Sequence, residues 1–200
     1  MKTKIFSIIT MFVVVFGITK STSAAPANNT TVTILTDIST INKIEVHGNV
    51  ELFISDGSAD QVKVYNKYYS ESALVQSKNG VLRISSYTPE KLVVWVTAND
   101  LRSVAAYDNA EVRSFGDISK IEFNVDLHNN ASAKLNFDAY SANVTVSDQA
   151  KADLSGTANE FRLSRNVTSN VNKSNFSAVS FTEKKINIPA EIKDDDVTGI

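Results

Sequence analysis

A weak internal repeat with a step near twenty residues constrains this chain more than any other feature of its sequence. Val104-x-Ala106-Tyr107-Asp108-Asn109-Ala110 is matched by Val125-x-Leu127-His128-Asn129-Asn130-Ala131, by Val144-x-Val146-Ser147-Asp148-Gln149-Ala150 and by Phe161-x-Leu163-Ser164-Arg165-Asn166-Val167. Alternating stretches such as Ala131-x-Ala133-x-Leu135 and Ala150-x-Ala152-x-Leu154 follow. A unit of that length holds two or three short strands separated by polar bends. It suits one coil of a β-solenoid, whose neighbouring coils pair about 4.8 Å apart. In that frame Asn109, Asn130, Gln149 and Asn166 stand one above another. They form either a structural amide ladder that satisfies the bends or a row of groups facing a ligand. The unequal steps leave an ordinary β-sandwich open as the alternative.

Upstream of the repeats the hydrophobic period is two. Ile44 and Val46, then Val50, Leu52 and Ile54, alternate with polar neighbours across His47-Gly48-Asn49, which reads as a turn between two half-buried strands. Val62, Val64 and Tyr68 follow, then Leu74 to Ser77. Asn79-Gly80 marks a tight hairpin into Val81 to Ile84. Leu92 to Val96 is another β-branched and aromatic run and carries the only tryptophan, Trp95. No window from Val32 to Ile188 sustains a helical apolar stripe over three turns, so the body is expected to be all-β.

Residues 1–24 read as a cleavable secretory signal. Lys2 and Lys4 precede an apolar run from Ile5 to Ile18, and Thr22 and Ala24 supply small residues for a cut after Ala24. The run is shorter than the roughly 18 to 20 apolar residues that span a bilayer, so no stable transmembrane anchor is expected after cleavage. The expected location is outside the cytoplasm: periplasmic, associated with an outer membrane, or extracellular. Residues 25–39 read as a lead-in and capping strand, 40–182 as a single domain, and 183–200 as a charged tail. Without Lys2, Lys4 and Lys20 the basic count falls from 20 to 17 against 22 acidic residues, a formal net charge of −5. That balance argues against nucleic acid or anionic lipid as partner. Cysteine is absent, which removes disulfides, thiolate catalysis and thiolate metal sites. Val32 to Ile41 and Lys185 to Ile192 are the candidates for capping the exposed ends of a stack.

Catalytic and metal-binding signatures are missing. His47 and His128 are the only histidines, neither has a partner at metal-ligand or nucleophile–base spacing, and both read as solvated bend residues. No metal or other cofactor is expected, and Asp194-Asp195-Asp196 reads as a solvated run rather than a calcium loop. Asp108 with Asp126 or Asp148 offers a carboxylate pair for polysaccharide processing, an alternative the short coils do not favour because they leave no long loops to wall a cleft. The residues expected to meet a ligand lie at the repeat bends: Tyr107, Asp108, Asn109, His128, Asn129, Asn130, Asp148 and Gln149.

Ile44-Glu45-Val46-His47-Gly48-Asn49-Val50-Glu51-Leu52-Phe53-Ile54, with Asp56-Gly57, Val62-x-Val64, Asn79-Gly80-x-Leu82-x-Ile84 and Leu101, resembles the family described as "putative auto-transporter adhesin, head GIN domain", found in secreted proteins of Bacteroidetes-type bacteria. The resemblance extends over about Thr40 to Thr182. It implies a right-handed β-helix-like solenoid of short coils, an exported location and no enzyme activity. The function expected from it is a non-catalytic adhesin or envelope-binding module for a glycan or protein, with a purely structural envelope role as a further alternative. The chain departs from the family where Ser-Gly pairs are usual at the bends: only Ser155-Gly156 matches, and Asp108-Asn109, Asn129-Asn130 and Asp148-Gln149 stand in their place. The charged segment from Lys184 onward replaces a glycine-rich close.

Overall fold

The computed structural model describes residues 32–35, 38, 40–65 and 73–186. The signal segment 1–24, Tyr68 and the Asp194–Asp196 run lie outside the described residues. Within them the chain is all-β, with thirteen strands and no helix. The strands are Val32–Leu35 (β1), Lys43–Gly48 (β2), Val50–Asp56 (β3), Gln61–Tyr65 (β4), Ala73–Lys78 (β5), Val81–Ser86 (β6), Leu92–Ala98 (β7), Ser103–Ala106 (β8), Glu111–Ser114 (β9), Ile118–Leu127 (β10), Ser132–Val146 (β11), Lys151–Arg165 (β12) and Asn170–Lys185 (β13).

All thirteen belong to one sheet, and the pairing is parallel wherever the repeats meet. One face stacks β6, β2, β8 and the C-terminal halves of β10, β11, β12 and β13. A second face stacks β7, β3, β9 and the first residues of β11, β12 and β13. Antiparallel pairs occur only toward the N-terminal end, where β5 joins β6, β4 joins β7, and β1 joins β4. The stacking order is not the chain order. The β2–β3 unit lies between β6–β7 and β8–β9, so a segment later in sequence has been laid outside the first one.

Alternation decides what points inward. Ile44, Val104, Val125, Val144 and Leu163 are aligned by the registers of β2, β8, β10, β11 and β12, and all are buried. Each contributes about 1.5–3 kcal/mol by leaving water. The next residue in that column is Glu183, opposite Leu163, and it pairs with Arg165 at 2.7 Å. An ion pair with an exposed carboxylate thus stands at the end of this column among the described residues. Larger rings alternate with small residues elsewhere: Phe137 lies opposite Gly156, which lies opposite Phe176, and the two phenyl rings meet at 4.9 Å.

Asn79 and Gly80 have φ of 52° and 79°, the two left-handed residues of a type I′ hairpin turn between β5 and β6, as the Asn-Gly pair predicts. The fourth repeat is placed differently from the sequence alignment. Val144 pairs with Leu163, not Phe161, so the step there is the same 19 residues that separates Asn124 from Asn143. Asn166, next after the Arg165 that lies opposite Val146, donates its amide to the Val146 carbonyl and stands level with Ser147, while Thr168 is the residue level with Gln149. Matching apolar letters alone moved the frame by two, a shift that keeps every side chain on its proper face and is invisible to a period-two pattern.

Candidate functional site

The bends at 107–110, 128–131 and 147–150 form a ridge along one edge of the stack. In each, the fourth residue's amide donates to the first residue's carbonyl at 3.1 Å. Asp108, Asn129 and Asp148 have φ of 61°, 57° and 58°, whereas the residues after them do not enter the left-handed region, the pattern of a type II′ turn. Asp and Asn tolerate this conformation because a short polar side chain bonds nearby backbone. Here they bond the adjacent repeat. The Gly48 amide donates to Asp108 Oδ2 at 3.1 Å, the Asp108 amide to Asn129 Oδ1 at 3.1 Å, and the Asn129 amide to Asp148 Oδ2 at 2.8 Å. The expected amide ladder of Asn109, Asn130, Gln149 and Asn166 is therefore replaced by one a residue earlier. It ends where Val167 takes the position; there Asn166 closes the bend by accepting from the Ser169 amide at 2.9 Å.

The histidine rings are stacked rather than free in solvent, though His128 does open a bend. His47 and Tyr107 stack at 4.4 Å and 3° between planes, and Tyr107 and His128 at 4.9 Å and 4°, so each ring covers its neighbour. The three are half-buried. The structure thus gathers Tyr107, Asp108, Asn109, His128, Asn129, Asn130, Asp148 and Gln149 on one ridge. It also commits the groups of Asp108, Asn129 and Asp148, together with the three rings, to holding neighbouring repeats together. Asp108 and Asp148 are separated by the Asn129 coil, so they do not face one another as an acid–base pair. Asn109, Asn130 and Gln149 are exposed and bring their amides to the border of the adjoining face.

That adjoining face, the outward side of β7, β3, β9 and the starts of β11, β12 and β13, carries what the sequence reading missed. Alternation predicts polar residues there, yet the β7 and β3 positions hold Trp95 and Phe53, stacked at 4.7 Å. Tyr65 lies 6.4 Å from Trp95 and Phe115 5.2 Å, both tilted, and Phe115 is 62% exposed. The signal was present in the sequence as two unbroken apolar runs, Leu52-Phe53-Ile54 and Val94-Trp95-Val96, in which a ring occupies an outward position.

The face turns ionic toward the C-terminal coils. Arg113 pairs with Glu51 at 3.1 Å and with Glu111 at 3.2 Å, and Lys91 reaches Glu111 at 2.6 Å. The hydrogen bond from Lys91, followed by that from Arg113, holds the Glu111 carboxyl below the usual glutamate range. Asp153 accepts from the Asn172 amide group at 3.0 Å. Lys134 and Lys151, both exposed, have no carboxylate partner among the described residues. A groove of about 350 Å³ runs between Phe53, Phe115, Arg113, Lys134 and Asn136. A second, of about 360 Å³, shares Arg113 and Lys134 with it and continues past Glu111, Ser132 and Asp153 to Lys151 and Asn170. Asn130 and Gln149 of the ridge meet Lys151 and Asn170 in a further hollow. No cluster of three metal-ligating side chains and no helix long and apolar enough to cross a membrane occurs among the described residues.

A family model described as "Putative auto-transporter adhesin, head GIN domain" matches residues 40–187. Among solved structures, the chain is similar to a putative adhesin of Bacteroides fragilis, with a TM-score of 0.65 at 13% identity over 77% of this chain and 76% of that one. A putative adhesin of Parabacteroides merdae gives 0.63 at 14% identity over 77% and 76%. A protein of Parabacteroides distasonis described as a putative lipid binding protein gives 0.61 at 8% identity over 77% of each chain. At these identities the likeness is one of fold. No curated protein matches the chain.

Proposed function

The chain belongs to the family described as "putative auto-transporter adhesin, head GIN domain", and on that premise we propose that it is an exported, non-catalytic binding module that holds a surface glycan or protein on its lateral face. Its architecture in this reading is a right-handed β-solenoid of short coils, delivered by the signal at residues 1–24 to the periplasm, outer membrane or cell exterior. The single observation that carries the reading is the ring cluster of half-buried Phe53 and Trp95 with exposed Phe115 on the outward side of a sheet whose alternation should place polar groups there. Isolated exposed apolar residues are ordinary, but a contiguous group rimmed by charges marks a contact surface.

Binding here draws on rigidity. Parallel backbone pairing and the ridge ladder fix the outward columns before a ligand arrives, so little side-chain and loop entropy is lost on association. Asn109, Asn130 and Gln149 border the face and offer amide donors and acceptors to the same ligand.

The test is a screen of the purified protein on arrays of envelope polysaccharides and surface proteins, with reducing-sugar release measured on the same polymers. Saturable binding without product release is expected. Release of reducing ends would replace this reading with a polysaccharide-processing enzyme.

A further inference from the structure

The lateral face is uneven in one respect that bears on its ligand. Glu51 and Glu111 are ion-paired with Arg113 and Lys91, while Asp153 accepts from the neutral Asn172 amide and lies opposite Lys134 without forming an ion pair, so the face carries four cations against three carboxylates. Lys134 and Lys151 are not ion-paired among the described residues. The registers place them on successive coils below Arg113 and Glu111: Lys134 opposite Arg113 and Asp153, Lys151 opposite Ser132 and Asn170. The grooves they line join at Arg113 and Lys134 and begin against Phe53 and Phe115. One continuous groove thus passes from aromatic rings to two ammonium groups without a direct ion-pair partner, with Glu111 and Asp153 also on its wall, although the exported chain as a whole is acidic.

We propose that this groove binds an acidic polysaccharide. The occupant packs a sugar ring against Phe115 and the Phe53–Trp95 pair, and its carboxylate groups meet Lys134 and Lys151. The C–H bonds of a pyranose face carry slight positive charge and match the negative face of an aromatic ring, while its hydroxyls keep their partners in Asn136, Ser132 and water. The acid groups supply the anion that the two lysines lack. A neutral glycan leaves both ammonium groups without an ion-pair partner. This assignment rests on the lateral-face reading and names its ligand class.

Trp95 is the only tryptophan and belongs to the ring cluster, so its emission reports occupancy directly. The experiment titrates the purified protein with oligogalacturonate and with the same oligomer methyl-esterified, which keeps the rings and removes the charge. An array of acidic and neutral polysaccharides is run beside it. Expected are a saturable change in Trp95 emission with oligogalacturonate, at least tenfold weaker binding of the ester, and steep weakening between about 50 and 500 mM salt as the charges are screened. Phe115→Ala and the double variant Lys134→Ala/Lys151→Ala each lower the affinity at least tenfold. All three positions are exposed, and an unchanged circular dichroism melt separates loss of binding from loss of fold. Acidic polymers bound equally by these variants, or neutral polymers preferred, overturn the assignment while leaving a binding module in place. A failure of every polymer, with a concentration-dependent dimer in sedimentation, overturns it in favour of a second copy covering the face. Failure of every polymer and every surface protein removes the lateral-face reading as well.

Discussion

Gly156 lies directly opposite Phe137 in the neighbouring coil, and a Cβ built on it would stand 2.1 Å from the Phe137 carbonyl oxygen. Its φ of +110° is a second reason only glycine fits. Because Gly156 has no side chain, the Phe137 and Phe176 rings meet across it and the core closes between the parallel strands β11, β12 and β13. Gly156→Ala is therefore expected to cost at least about 3 kcal/mol, combining backbone strain with a displaced strand. Urea unfolding followed by circular dichroism measures it; a loss below about 1 kcal/mol would mean the coils shift apart more easily than this packing allows.

The ridge ladder predicts a graded response at one position. Asn129→Ala loses both a side chain suited to φ of 57° and the acceptor for the Asp108 amide, and is expected to cost about 2 kcal/mol. Asn129→Gly relieves the backbone strain but still lacks the acceptor, and should recover about half of that loss. Asn130→Ala, one residue on, should fall within about 0.5 kcal/mol of the parent because its side chain points to water. Equal effects at 129 and 130 in thermal melts would contradict the placement of the ladder.

Tyr107 sits between His47 and His128 with both faces covered. Tyr107→Ala removes two ring contacts, each worth about 0.5–1.5 kcal/mol beyond burial, whereas Tyr107→Phe keeps both and should melt near the parent. Binding to the lateral face is expected to survive both substitutions, since the stack lies on the ridge; a titration of Trp95 emission in the two variants checks this.

The Lys91–Glu111–Arg113 cluster gives the pH dependence. The Glu111 carboxyl is held below the ordinary value of 4.5, chiefly by the Lys91 hydrogen bond, so its contribution to stability is fully present above that value and is lost as pH falls through the lowered one. The groups are partly solvated, which limits the effect to under about 1 kcal/mol. Melting temperatures of the parent and Glu111→Gln, compared from pH 7 to pH 3, should differ at neutral pH and converge in acid. A gap that widens as pH falls would reverse the assigned sign.

Much of this protein was written in local pattern. Period-two alternation of β-branched residues predicts all-β structure, since it places one face of every strand in the core. Asn79-Gly80 fixes its hairpin because the pair readily takes two positive φ angles. The recurring Asp-Asn, Asn-Asn and Asp-Gln bends identify the ridge residues, because a left-handed corner selects short polar side chains. Tertiary structure alone decided that β6–β7 stack outside β2–β3, since parallel pairing depends on which edge is free and not on sequence adjacency. It also set the frame of the fourth repeat, because a two-residue slip leaves alternation unchanged. The lateral face was settled the same way. Phe53, Trp95, Phe115, Lys134 and Lys151 are scattered along the chain and look like core or surface residues singly; they meet only because strands from distant segments are stacked in register.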